Sequence, residues 1–83
     1  MAEIRVYTSD FCPYCVNAKR LLDARGLSYS EDNIGSDFEK RKWLIETTGQ
    51  RTVPQIFIGD KSIGGYMELV ALDRSGELVK LTQ

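Results

Sequence analysis

With 83 residues the chain has room for one small domain, and its 42% hydrophobic content is enough for a single core. A formal net charge of −1 without a long basic block argues against a nucleic-acid binder, and no run approaches the ~18 apolar residues that span a membrane. The lack of His removes Cys–His proteases and most metal enzymes, and Met1-Ala2-Glu3-Ile4-Arg5 lacks a signal peptide's apolar core, so a cytoplasmic location is expected.

The run over residues 3–8 is short and rich in β-branched side chains, which predicts a first strand. Thr8-Ser9-Asp10-Phe11 then forms a loop into Cys12-Pro13-Tyr14-Cys15, which holds both cysteines of the chain. Val16, Ala18, Leu21 and Leu22 read as one face of a helix from Pro13 to about Arg25, with Gly26 as its left-handed stop. Lys19, Arg20, Asp23 and Arg25 read as its solvated face.

Two thiols where a strand hands over to a helix are placed for redox chemistry. Pro13 suits the first helical position, because its missing N–H would have no partner there. Cys12 then falls at the cap, where free backbone N–H groups and the helix dipole favour a thiolate. The dipole is worth at most ~2 kcal/mol, so direct N–H···S contacts must supply the rest. Cys15 lies one turn deeper, close enough to form a disulfide with Cys12. Cys12 is therefore the expected nucleophile and Cys15 the resolving thiol.

Three plainer readings compete. A structural staple closing about four residues constrains the unfolded chain by only roughly 2 kcal/mol. A zinc site needs four ligands, and the chain holds no His and no further Cys. Two unrelated buried thiols would not need the strand–helix junction. In the cytosol, where thiols are kept reduced, a close pair is more often catalytic than structural.

Further along, Leu27-Ser28-Tyr29-Ser30-Glu31-Asp32-Asn33-Ile34 predicts a second strand whose polarity suits a sheet edge. It completes a βαβ unit with a right-handed crossover. Ser36 and Glu39 match a capping box for a second helix ending at Gly49, with Phe38, Trp43, Leu44 and Ile45 as its apolar surface. Lys40, Arg41 and Lys42 form a basic turn on it, read in isolation as solvated. Thr52-Val53-Pro54 leads into Gln55-Ile56-Phe57-Ile58, a buried strand by composition. Gly59-Asp60 turns it back through Lys61-Ser62-Ile63. After Gly64-Gly65, Tyr66 to about Asp73 predicts a third helix, and Glu77-Leu78-Val79-Lys80-Leu81 a short apolar tail docked on the sheet.

Over essentially its whole length the sequence resembles the dithiol glutaredoxins. The motifs are Cys12-Pro13-Tyr14-Cys15, Thr52-Val53-Pro54 and Gly64-Gly65 opening a helix, with Asp73-Arg74-Ser75-Gly76-Glu77-Leu78 like the family's C-terminal segment. The resemblance implies an α/β, thioredoxin-like fold over residues 1–83. Its four-stranded mixed sheet would have the first two strands parallel and the last two an antiparallel hairpin, with three main helices flanking it. It also implies a cis Val53–Pro54 bond, turning the Val53 backbone toward a bound peptide.

The implied function is glutathione-dependent thiol–disulfide exchange on protein disulfides and glutathionylated proteins. Glutathione is then a cosubstrate; no bound cofactor, metal, nucleic-acid or membrane partner is expected, and the protein is expected to be a monomer. By position, Tyr14 would pack beside the bound sulfur, with Arg41 and Arg51 near the glycine carboxylate. Val53 would hold the cysteinyl backbone, with Thr52 and Pro54 beside it. The N–H groups of Tyr66 and Met67 would receive the γ-glutamyl carboxylate. Two positions depart from the common family pattern: Ser9 stands where many members have Lys, and Met67 where many have Asp. Both predict weaker glutathione binding. The same cysteines would also serve a thioredoxin-like donor recycled by a flavoprotein reductase, or an iron–sulfur carrier formed by two chains, which Pro13 disfavours.

Overall fold

A computed structural model describes residues 2–82. Strand β1 (Ile4–Thr8) is followed by helix α1 (Pro13–Ala24), β2 (Ser30–Asn33), α2 (Phe38–Thr48), β3 (Gln55–Ile58), β4 (Lys61–Gly64), α3 (Tyr66–Ser75) and α4 (Glu77–Thr82). The four strands form one sheet in the order β2-β1-β3-β4. β1 runs parallel to β2, with Arg5 opposite Ser30 and Thr8 opposite Asn33. It runs antiparallel to β3, which continues into the β3–β4 hairpin. This is the mixed sheet that the resemblance implies.

Burial explains the order. All of β3 is buried, which suits an inner strand, whereas Ser30, Glu31 and Asn33 of β2 are exposed, which suits an edge. Ile4, Val6, Ala18, Leu22, Ile56, Ile58, Leu69 and Leu78 make the main core, where α1, α3 and α4 meet the sheet. Tyr7, Ile34, Leu44 and Phe57 form a second cluster under α2. There half-exposed Trp43 stacks on Phe57, with ring centroids 6.1 Å apart. The end of α1 is tied to α3 by a bidentate pair, Arg25 Nε to Asp73 Oδ1 at 2.6 Å and Nη2 to Oδ2 at 2.8 Å. That hydrogen bonding holds the Asp73 carboxyl below its ordinary range.

Several local expectations are corrected. The cap of α2 is Asp37, whose carboxylate accepts the Lys40 N–H at 3.1 Å, and Ser36 lies in the turn before it. An anion at that end also meets the helix dipole, which a hydroxyl does not. Phe38 stands at the first helical position, pointing away from the core, and is exposed. On α1 the inward stripe is Cys15, Ala18 and Leu22, spaced at one helical turn, so Val16 falls off it and is exposed. Lys19 and Arg25 belong to inter-element ion pairs rather than to a purely solvated face. The terminal tail is a fourth helix: Gly76, at φ +81°, ends α3 and turns the chain into α4, which buries Leu78. Among the described residues no helix is long and apolar enough to cross a membrane.

Candidate active site

The site forms where β1 ends and α1 begins. Pro13 occupies the first turn of α1, and Cys12 is the cap, with extended backbone at φ −115° and ψ 99°. Its Sγ accepts the Cys15 N–H at 3.1 Å, taking up one of the donors that a helix start leaves free. The two cysteines are joined in a disulfide across a Cα–Cα distance of 5.2 Å. Cys15 is 2% exposed and belongs to the buried stripe of α1. Cys12 is half-buried and reaches the surface. An incoming disulfide therefore meets Cys12 first, while Cys15 is placed to attack from beneath.

A second loop faces this pair. The Val53–Pro54 bond is cis, and Cys12 Sγ lies 3.7 Å from the Val53 carbonyl oxygen. Gln55, fully buried, donates from Nε2 to the Thr52 carbonyl at 2.9 Å and to Gln50 Oε1 at 3.2 Å, and so holds the loop from below. The start of α3 closes the third side. A Cβ built on Gly65 would come within 3.4 Å of the Pro54 carbonyl oxygen, so the glycine permits this approach. Gly65 is also the cap of α3, and with no side chain it cannot cover the N–H groups of Tyr66 and Met67. Glu68 turns back so that its Oε1 accepts the Gly65 N–H at 2.8 Å. The rings of Tyr14 and Tyr66 lie 5.9 Å apart at 30°, joining the starts of α1 and α3.

Of the residues expected from the sequence, Cys12, Cys15, Tyr14, Val53, Pro54 and Tyr66 thus converge, with Thr52 exposed at the loop and Met67 exposed at the helix start. Arg41 lies apart from them. Its Nη1 donates to the Gly35 carbonyl at 3.2 Å, and it lines a groove with Ser9, Asp10 and Phe11. Arg51 is exposed, next to Thr52 in the chain.

Sequence reasoning missed two contributors. Gln55 is one. Another is a triad beside the cysteines: buried Thr8 donates its Oγ1 proton to Glu31 Oε2 at 2.8 Å, and Lys19 Nζ sits 3.0 Å from the same oxygen. The Thr8 bond, and then Lys19 against the cost of burial, hold the Glu31 carboxyl below its ordinary value. Thr8, Lys19 and Glu31 are too far apart in sequence to leave a local pattern. Phe11, outside these contacts, has its backbone at φ +56°.

The Glu31 shift has a testable consequence. A carboxyl depressed in the folded state stabilises above its unfolded value, about 4.3, and that stabilisation is lost as pH falls through the lower folded value. Thr8→Val removes the main cause. It is expected to make the protein less stable at neutral pH and to flatten the fall in urea midpoint between about pH 5 and pH 3. Parallel acid profiles for the two proteins would contradict this.

A family model described as glutaredoxin matches residues 4–63. Glutaredoxin 3 of Escherichia coli K12 is 46% identical over 78 residues, covering 94% of each chain. The glutaredoxin of Pseudomonas aeruginosa is 41% identical over 78 residues, covering 94% of this chain and 93% of its own. Among solved structures, a buckwheat glutaredoxin–glutathione complex superposes with a TM-score of 0.90 at 36% identity, covering 98% of this chain and 76% of the other. Glutaredoxin from Brucella melitensis superposes with a TM-score of 0.89 at 39% identity, covering 99% and 89%.

Proposed function

The chain belongs to the glutaredoxin family and is a glutathione-dependent thiol–disulfide oxidoreductase, and from that premise we propose how its own residues divide the work. Cys12, as thiolate, attacks the glutathionyl sulfur of a mixed disulfide. A Cys12–glutathione bond forms as the old S–S bond breaks, and the substrate leaves as a thiolate that takes a proton from water. A second glutathione thiolate then attacks the bound glutathionyl sulfur, releasing glutathione disulfide and the Cys12 thiolate. Alternatively the Cys15 thiolate attacks Cys12 Sγ and expels glutathione. That leaves the Cys12–Cys15 disulfide, the oxidised state seen here, and two glutathiones reduce it. Reduction of a protein disulfide ends in the same state. The observation that supports this division is the contrast between half-buried Cys12 at the helix cap and buried Cys15 one turn in.

Glutathione is proposed to lie over Cys12 with its cysteinyl backbone paired to Val53, beside Thr52, Pro54 and Tyr14. Its γ-glutamyl carboxylate meets the uncovered N–H groups of Tyr66 and Met67, a helix start that suits an anion. Arg41 and Arg51 attract the glycine carboxylate from outside the cluster. Met67 supplies no carboxylate for the γ-glutamyl ammonium, so binding is expected to be weaker than in relatives that have Asp there. The cycle needs a reducing, glutathione-rich compartment, which supports a cytoplasmic location, and it calls for one chain and no resident cofactor.

The test is glutathione-coupled turnover of a small glutathione mixed disulfide. Turnover by a flavoprotein thioredoxin reductase in place of glutathione would overturn the reading. Within the same assay Arg41→Ala should raise KM by about 2- to 5-fold with kcat unchanged, as befits one solvent-screened charge contact of ~0.2–1 kcal/mol. An unchanged KM would remove Arg41 from the binding set.

A further inference from the structure

Phe11 combines two features that nothing in the glutathione reading uses. Its ring is fully exposed, at 102% of the reference area. Its backbone sits at φ +56°, a conformation that bulky L-residues rarely adopt and that costs free energy. Strain of this kind gathers at functional sites, where the surroundings impose it. The residue immediately precedes the nucleophile.

Phe11 lines a groove with Cys12, Pro13, Cys15 and Val16 that ends at Lys19, Glu31 and Asn33. This groove borders β2, and none of Tyr14, Val53 or Tyr66 lines it. Val16, which left the core stripe of α1, is its second exposed apolar wall. Lys19 pairs with Glu31 at 3.0 Å, and Asn33 donates to Asp10 at 2.9 Å, which leaves the Asp10 carboxylate hydrogen-bonded but not neutralised. Beside the cysteines its walls are Phe11, Pro13 and Val16, apolar surface that suits an apolar partner. Because Cys12 and Cys15 line it, a polypeptide that joins Cys12 when a protein disulfide is reduced, or that leaves as Cys12 attacks its glutathionyl partner, has its flanking residues beside the groove.

We propose that the Phe11–Val16 groove is a specificity site for polypeptide substrates, taking an uncharged apolar side chain next to the substrate cysteine. Phe11 is its principal anchor, held outward by the left-handed turn. The proposal rests on the Cys12 mechanism above, and it assigns the polypeptide half of the substrate, which the glutathione contacts leave open.

Two glutathionylated peptides test it, identical except for Leu or its polar, uncharged counterpart Asn beside the cysteine, together with a small glutathione mixed disulfide. Wild type is expected to favour the Leu peptide by about 3- to 10-fold in kcat/KM through KM, the scale of partial burial of one such side chain. Phe11→Ala should abolish that preference and leave the small disulfide unchanged. Phe11→Gly, which relieves the backbone, should behave as Phe11→Ala does, and Phe11→Tyr should restore the preference. A preference that survives in Phe11→Ala, or no preference in wild type, would overturn the proposal. So would an equal loss on the small disulfide. Absence of wild-type turnover on the small disulfide would instead sink the glutathione reading itself.

Discussion

Replacing Cys12 by Ser is expected to lower turnover of glutathione mixed disulfides by on the order of a thousandfold or more, because a hydroxyl near neutral pH is not ionised and is a poor nucleophile toward sulfur. Cys15→Ser should behave differently. It removes only the route through the intramolecular disulfide, so the glutathionyl intermediate on Cys12 is still cleared by a second glutathione. Turnover of small mixed disulfides should persist in Cys15→Ser, while reduction of protein disulfides is lost. Mass spectrometry supplies the intermediate: Cys15→Ser should accumulate one glutathione per chain, and Cys12→Ser none. Equal loss in both variants and on both substrates would mean that the roles of the two sulfurs are wrongly divided.

The second large effect is on folding. Leu69 is fully buried between α3 and the sheet, and Leu69→Ala is expected to cost ~2–5 kcal/mol. A domain has about 0.05–0.15 kcal/mol per residue of net stability, so this chain has roughly 4–12 kcal/mol to lose. The variant should therefore be close to unfolding, with its urea midpoint lowered by about 1–3 M. Phe38→Ala is the control: the ring is 75% exposed at the head of α2, and its loss should stay within about 0.5 kcal/mol. Similar shifts in the two variants would contradict the assigned core. α3 also presents Tyr66 and Met67 to the site, so loss of Leu69 is expected to weaken glutathione binding below the unfolding transition.

What could be read from the sequence was what is set by neighbours in the chain. Pro13 and Gly26 mark the two ends of α1 by backbone constraints that act on single residues. The polar run at Ser30–Asn33 announced an edge strand, and the apolar run at Gln55–Ile58 a central one. The cysteine pair announced its chemistry through its spacing together with its place where a strand hands over to a helix. Errors arose where two local choices were nearly equivalent, as between Ser36 and Asp37 for the α2 cap, or where periodicity was stretched to include Val16. What stayed hidden depends on contacts between distant segments, Thr8 with Glu31 and Arg25 with Asp73, or on the direction of one side chain, as with Gln55 turned under the nearby Thr52 carbonyl. The left-handed backbone of Phe11 also had no signature, since phenylalanine is an unfavourable choice for it.

Cys12 is the cap of α1 as well as the expected point of attack. Sulfur accepts a hydrogen bond through lone pairs that remain whether it is free, bound to glutathione or bound to its neighbour. The anchoring of the first helical turn to Cys15 N–H therefore has no need to be broken and remade as electrons pass through. Serine, a stronger acceptor and a preferred residue at such a position, preserves this anchoring too. Inactivity of Cys12→Ser would thus report missing reactivity and not a disordered scaffold.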